Sequence, residues 1–422
     1  MAGRGAAPIP PEAPRFGRIY LPFAAGYLLS YLYRNVNAVI SPELSRELGL
    51  QPAGLGLLTS AYFLSFAAMQ LPAGMLLDRL GPRRVEPVLL ALAALGALGF
   101  GLAQGELGLL LARGLIGLGV AVCLMAPMKA IAAWYPPERQ AALGGWIMTA
   151  GALGALSATA PLELALRATS WRGVFLGLAA ATLAAAVWVW RRVPDLPAPA
   201  AAATVGAQWA GVRAVFSSPR FWWLAPLAGF GMGSFMAVQG LWAVPWLMGV
   251  EGLDRAGAAR QLLVMGLTVL GGYVALGLFS VRLAARGVHP RHLVGAGFGL
   301  AGLALAAVVL RLPGSVVWWS LYGLGNAANV LAFTVLNEGF PRELTARANT
   351  ALNLCMFAGS FATQWGVGLA VEAARTRLGL DVPGAYSLAF GVVAGLEAAT
   401  WAWFALGWRR HARAEVAPPK SR

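Results

Sequence analysis

The stretch Gly74-Met-Leu-Leu-Asp78-Arg79-Leu-Gly81-Pro-Arg83-Arg84 decides how the rest of the chain is read. It is short, basic and marked by glycine, with a long apolar run on each side. Gly81 permits a tight turn, and Gly74 would let a neighbouring helix approach closely. Asp78 is an acid at a helix end, where it can meet cationic side chains or the positive N-terminus of another helix. Arg79, Arg83 and Arg84 hold such a turn on the cytoplasmic side of a membrane.

Composition agrees with a membrane setting. Of 422 residues, 59% are hydrophobic and 12% charged, whereas a soluble domain carries about 25% charged residues. The length suits about twelve spans of about 20 residues with short loops. The net charge of +15 does not point to nucleic acid, because the basic residues sit in short loops between apolar runs. Cys123 and Cys355 each lie inside an apolar run without metal-ligand spacing, and read as reduced packing residues. The first apolar run is too long for a signal peptide and is expected to remain as a span.

Spans are expected at 18–40, 53–77, 86–104, 107–133, 141–165, 172–191, 220–248, 260–282, 292–311, 314–338, 347–371 and 385–408. Polar or Gly/Pro clusters separate them, such as Gln104-Gly-Glu106 and Arg311-Leu-Pro-Gly314. Trp134, Trp171, Trp222, Trp318 and Trp408 lie near the ends, as an aromatic belt requires. Of the 32 Lys and Arg residues, 21 fall in segments on the N-terminal side, eight on the other side and three inside spans. That asymmetry places both termini in the cytoplasm.

The longest polar interruption, 191–219, divides the chain into a six-span bundle over 1–190 and another over 220–422. Tyr135-Pro136-Pro-Glu138-Arg-Gln-Ala141 reappears as Phe340-Pro341-Arg-Glu343-Leu-Thr-Ala346, displaced by 205 residues. The basic turn recurs only in degenerate form, Arg282-Leu-Ala-Ala-Arg286-Gly287, without its acid. Two similar halves with a site between them near the membrane midplane are a transporter plan.

The opening stretch resembles the loop signature of the major facilitator superfamily, and Arg113-Gly-Leu-Ile-Gly117-Leu-Gly119 resembles that family's fourth-helix motif. The resemblance implies an all-α membrane protein of twelve helices in two pseudo-symmetric six-helix bundles. It makes Gly74, Asp78, Arg79, Gly81, Arg83, Arg84, Arg113 and Gly117 gating or structural positions. The efflux branch carries a Gly-Pro pair in its fifth helix. Here Gly151-Ala-Leu-Gly154-Ala-Leu stands there, which counts against drug export. A narrower similarity is to the organic-anion:cation symporter branch, whose first helix carries Tyr-x-Asp-Arg-x-Asn. This chain has Tyr31-Leu-Tyr33-Arg34-Asn35-Val-Asn37. Lys129, five positions before Trp134-Tyr135-Pro136, matches a basic residue of the same branch. Tyr33 and Val120 replace acids that serve ion coupling there.

Arg34 is the sharpest single residue. It lies about 22 Å into a helix that crosses about 30 Å of hydrocarbon. An arginine at that depth is costly unless it faces a wet cavity or a partner; the alternative is snorkelling to the surface. Tyr27, Tyr31, Arg34 and Ala38 share a face, with Asn37 beside it. A guanidinium suits a bidentate grip on a carboxylate. Lys129 is a second candidate, though it too can snorkel. On an ideal helix Arg113 is about 160° from Lys129, so Arg113 reads as structural; a bend at Pro127 would soften this. Further polar stripes are Tyr322, Asn326, Asn329, Phe333 and Asn337; Asn349, Asn353, Met356, Ser360 and Gln364; and Phe235, Gln239, Trp242 and Trp246. One amide would read as glue between helices, worth about 0.6 kcal/mol. Three parallel stripes read as the lining of an aqueous path. Glu338 and Glu397 are the candidates for ion coupling, Glu397 also reading as a protonated acid bonded to a neighbouring helix.

Nucleotide-binding loops, metal clusters and nucleophile–base pairs do not appear, so no enzyme, cofactor or metal is expected. The expected function is secondary transport of a small anion, of carboxylate type, by a monomer in the cytoplasmic membrane. A proton or sodium ion is the candidate coupling partner. The alternatives are an exporter of amphipathic or neutral compounds and a transporter-like membrane sensor.

Overall fold

The computed structural model describes residues 16–135, 137–195 and 205–414, all helical or in turns. Twelve rods follow one another. The first half holds α1 (Phe16–Leu48), α2 (Pro52–Leu80), α3 (Pro82–Leu102), α4 (Glu106–Gly119 and Met125–Trp134), α5 (Pro137–Ser157 and Ala160–Ala168) and α6 (Trp171–Arg192). A connecting helix, Val205–Phe216, leads to the second half. There lie α7 (Pro219–Ala237, a π turn Val238–Trp242, and Ala243–Gly249), α8 (Arg255–Ala285) and α9 (Pro290–Val309). The last three are α10 (Ser315–Asn326 and Asn329–Asn337), α11 (Arg342–Arg377) and α12 (Val382–Ala414). Among the described residues, eight helices are long and apolar enough to cross a membrane alone, and bent α5 makes a ninth. The pieces of α4 and α10 are each shorter than a span.

Four of the expected spans are therefore interrupted, and three of the interruptions have one cause. A proline lacks the N–H for the i−4 bond, and its ring collides with the i−4 carbonyl. Pro127 points at Cys123 and α4 unwinds over 120–124. Pro161 points at Ser157, where the first part of α5 ends, and the pieces meet at 50°. Pro245 points at Leu241 inside the π turn of α7. In α4 a side chain offsets part of the loss: Gln70 Nε2 donates to the Ala121 carbonyl at 3.3 Å. The break in α10 at 327–328 contains no proline.

The basic turn behaves as a turn. Gly81 adopts φ +76°, its N–H closes α2 onto Leu77 O at 3.1 Å, and Pro82 starts α3. Arg83 pairs with Asp195 at 2.8 Å and Arg84 with the same carboxylate at 3.7 Å, fastening α3 to the segment after α6. Arg79 is exposed. The side chain of Asp78 lies outside the described residues, as do those of Arg342 and Glu343 at the start of α11.

The end carrying this turn is called here the basic end. At the opposite end α2 and α11 touch backbone to backbone. A methyl on Gly56 would collide with the Gln364 carbonyl, and one on Gly368 with the Pro52 carbonyl. Further along, Phe63 and Phe66 meet Phe357 with ring centroids 6.1 and 4.5 Å apart. At Gly74 nothing lies within 4 Å of where a Cβ would be. The close approach expected at Gly74 is thus absent in this conformation. Gly117 does need to be glycine, since a Cβ would strike the Tyr62 carbonyl of α2.

The opposite end is clasped by charge. Arg255, which starts α8, meets Glu43 of α1 at 2.5 Å and Glu163 of α5 at 2.7 Å. The second contact is an ion pair too bent to be a hydrogen bond. Glu372 of α11 accepts from the Ala53 N–H of α2 at 3.3 Å. Glu47 of α1 accepts from the Trp171 indole at 2.6 Å and pairs with Arg172, tying α1 to α6.

Candidate functional site

Arg34 sits midway along α1, where only 8% of its surface is exposed. Its guanidinium carbon lies 4.4 Å from the Tyr31 ring centroid and 5.4 Å from those of Phe66 and Phe357. Tyr62, whose hydroxyl donates to the Ser30 carbonyl at 3.2 Å, stands beside it. Nε has no hydrogen-bond partner, and among the described residues no carboxylate forms an ion pair with Arg34. A cation–π contact compensates a desolvated guanidinium only in part. The charge is thus held by rings, with donors left over for a further group.

The neighbours of this charge come from both halves. Tyr27 packs edge-on to Tyr31 at 5.0 Å, and its hydroxyl points at Met148 sulfur at 3.7 Å. Tyr273 of α8 lies within electrostatic range of Tyr31 and Arg34. Gly240, in the π turn of α7, sits where its Cβ would be 3.4 Å from the Arg34 carbonyl and 3.5 Å from Gln364 Nε2. Both amide atoms of Gln364 are buried without a partner, as are Oδ1 of Asn326, Oδ1 of Asn329, Ser360 Oγ and Thr363 Oγ1. Buried polar atoms are nearly always satisfied, so this set marks unmet hydrogen-bonding capacity on α10 and α11.

Other candidates face elsewhere. Asn37 donates to Thr59 Oγ1 at 2.9 Å and joins α1 to α2. Trp242 is fully buried and donates to the Gln364 carbonyl at 3.0 Å. The Tyr322 hydroxyl donates to Glu397 at 3.2 Å, and Ser234 donates to the same carboxyl oxygen. Glu397 therefore joins α12 to α7 and α10. Gln239, Lys129 and Asn353 are half-buried, Gln239 lying toward Gly266 of α8. Glu338 is at the basic end, 3.4 Å from His289 and 4.0 Å from Arg220. Arg113 is fully buried over the Tyr62 ring at 5.0 Å, with none of its nitrogens hydrogen-bonded. Phe66, Phe357, Tyr62 and Tyr273 were not among the sequence candidates. A Phe or Tyr inside an apolar run carries no mark of the direction it faces.

The family model of the Major Facilitator Superfamily matches residues 23–363. The chain belongs to the major facilitator superfamily. Members with similar sequences include a galacturonate transporter of Dickeya chrysanthemi, 31% identical over 39% of this chain and 46% of the relative. The hexuronate transporter of Escherichia coli K12 is 30% identical over 36% and 35%. The chain thus spans less than half the length of these relatives. A chloramphenicol resistance protein of Pseudomonas aeruginosa is 27% identical over 78% of each chain. Among solved structures, a bacterial homologue of the human lysosomal transporter Spinster, inward-facing and unoccupied, superposes with TM-score 0.78. It is 19% identical and covers 94% of this chain and 98% of that one, which shows the shared superfamily fold.

Proposed function

We propose that this chain moves a small organic anion of the sugar-acid class across the cytoplasmic membrane by alternating access between its halves, 1–190 and 220–422. The observation that carries the reading is Arg34, buried at mid-helix with no carboxylate partner among the described residues. A uronate or aldonate offers the carboxylate for that guanidinium. Its hydroxyls suit the unpaired amides of Asn326, Asn329 and Gln364. Relatives named for galacturonate and hexuronate support the same class. In this reading the basic end is cytoplasmic, and the clasp of Arg255 with Glu43 and Glu163 closes the outer side.

Thermal-shift and calorimetric titration of the purified protein with galacturonate, galactose and chloramphenicol tests it. Galacturonate should bind, galactose should bind far more weakly, and Arg34→Ala should abolish the difference. Equal binding of galactose and galacturonate would remove the anion reading. A second reading, export of amphipathic compounds, draws on the aromatic surround of Arg34 and on the resistance protein matched over most of its length. Tight chloramphenicol binding that ignores Arg34→Ala would favour it.

A further inference from the structure

Glu86 lies near the basic end of α3, yet none of its surface is exposed. Both carboxyl oxygens are buried without a hydrogen-bond partner. Among the described residues, the surrounding elements supply it no charge. On α1 it faces Gly26, where a Cβ would sit 2.7 Å from Oε1, so glycine alone leaves the space. Leu90 of α3 and the Cys123 thiol of α4 complete the near wall, and Cys123 is the titratable group beside it. From α6, on the other flank of α3, no charged group among the described residues acts on it.

The position is suited to change. Cys123 belongs to the unwound turn 120–124 of α4, which interrupts that helix beside Glu86. Unwound backbone inside a membrane is tolerated where it is buried in protein or meets water, and such breaks serve as the moving parts of carriers. A bare carboxylate in the present surroundings would have neither donor nor counter-ion, a situation proteins avoid by neutralising the group. Glu338 and Glu397, by contrast, already have partners: basic side chains for the first, Ser234 and Tyr322 for the second.

We propose that Glu86 carries the coupling proton of the transport cycle. It is a carboxylic acid in the conformation seen here. It becomes a carboxylate when movement of the unwound turn of α4 admits water. The O–H bond breaks, the proton passes to water on the cytoplasmic side, and the electron pair stays on the carboxyl oxygen. Reprotonation from the outer side resets it. The proposal rests on the transport reading above.

The full-length protein reconstituted in liposomes tests it with labelled galacturonate. One pH unit is tenfold in proton activity, so an inward gradient of that size should raise wild-type accumulation about tenfold. Glu86→Gln keeps the size but cannot release a proton. It should bind galacturonate and exchange it across the membrane, yet lose the gradient-driven gain. Glu86→Asp should recover part of the gain. Infrared difference spectra across a pH jump should show a carboxylic C=O band that Glu86→Gln removes. A full gain in Glu86→Gln, or a wild type indifferent to the gradient, would overturn the proposal. If galacturonate neither binds nor moves, the sugar-acid reading fails by itself. The infrared band then decides for Glu86, and its persistence in Glu86→Gln refutes the assignment.

Discussion

At the scale of single residues, Arg34 was legible because a charge in a long apolar run has few explanations. Its surroundings were not. Phe66 and Phe357 close over it, but their faces depend on the rotation of α2 and α11. Polar stripes misled in the same way. Asn37, Trp242 and Tyr322 recur with helical spacing, yet each spends its donor on an adjacent helix. Spacing identifies a face without saying what it meets. Glu86 opens the expected span 86–104 and is not among the sequence candidates, because sequence alone does not show that α1 and α4 close over it. For Arg34 the proposal makes a graded prediction. Arg34→Lys keeps the charge and loses the planar fork, so galacturonate affinity should fall measurably. Arg34→Ala loses a charge-assisted contact worth about 1.5–3 kcal/mol and should cost roughly ten- to hundredfold in affinity. Calorimetric titration reads both, and equal affinities in all three proteins would remove Arg34 from the site.

At the scale of elements, the number and order of the helices follow from hydropathy, and three of their four interruptions coincide with prolines, although Pro22, Pro42, Pro72, Pro87 and Pro226 lie inside unbroken helical stretches. Pro127, Pro161 and Pro245 each mark a break four residues upstream, inside the continuous spans expected for α4, α5 and α7. The break in α10 lacks that signal: Gly325 packs against the backbone of Gly297 and Ala301 there, a tertiary contact invisible in one strand of sequence. The π turn of α7 has a testable consequence. Pro245→Ala restores a donor and permits a regular helix, which would rotate Gln239 and Gly240 by up to about 100°. Galacturonate affinity should drop while the thermal midpoint holds or rises; unaltered affinity would show that the turn does not position the site. The contact at Gly117 makes a different prediction. Gly117→Leu places a side chain against the Tyr62 carbonyl, and the yield of folded, monodisperse protein should collapse in size-exclusion chromatography. Normal yield would mean that α2 and α4 can separate at little cost.

At the scale of the whole molecule, the two halves meet firmly at the end opposite the basic turn. Arg255 is the ionic element of that closure, so Arg255→Gln should raise the labelling of single cysteines placed near Glu43 and Glu163 by a membrane-impermeant maleimide. Unchanged labelling would show that backbone packing alone keeps this end shut. Asp78, whose side chain lies outside the described residues, is proposed to latch the basic end against α11 in the opposite conformation. Asp78→Asn should then slow turnover while galacturonate binding persists, and normal turnover would refute the latch. The seam between α2 and α11 also determines where membrane voltage acts. From Phe357 to Gly368 the seam is about 16 Å of helix, and beyond it Gly74 has no atom within 4 Å of where a Cβ would be. The insulating layer is thus about half of the roughly 30 Å of hydrocarbon around it, and the potential falls mainly across that layer. Arg34 stands at its lip. In the alternating-access cycle proposed above, closure at the other end would make the arginine change sides of the electric field while hardly moving in space. Each elementary charge so transferred is worth about 2.3 kcal/mol per 100 mV. An empty site transfers the guanidinium charge, whereas a site holding a monoanion transfers none at that position. Where Glu86 has released its proton, its carboxylate offsets that charge, so capacitive currents on supported membranes should be small for both steps in the wild type and larger for the empty step than for the loaded one in Glu86→Gln.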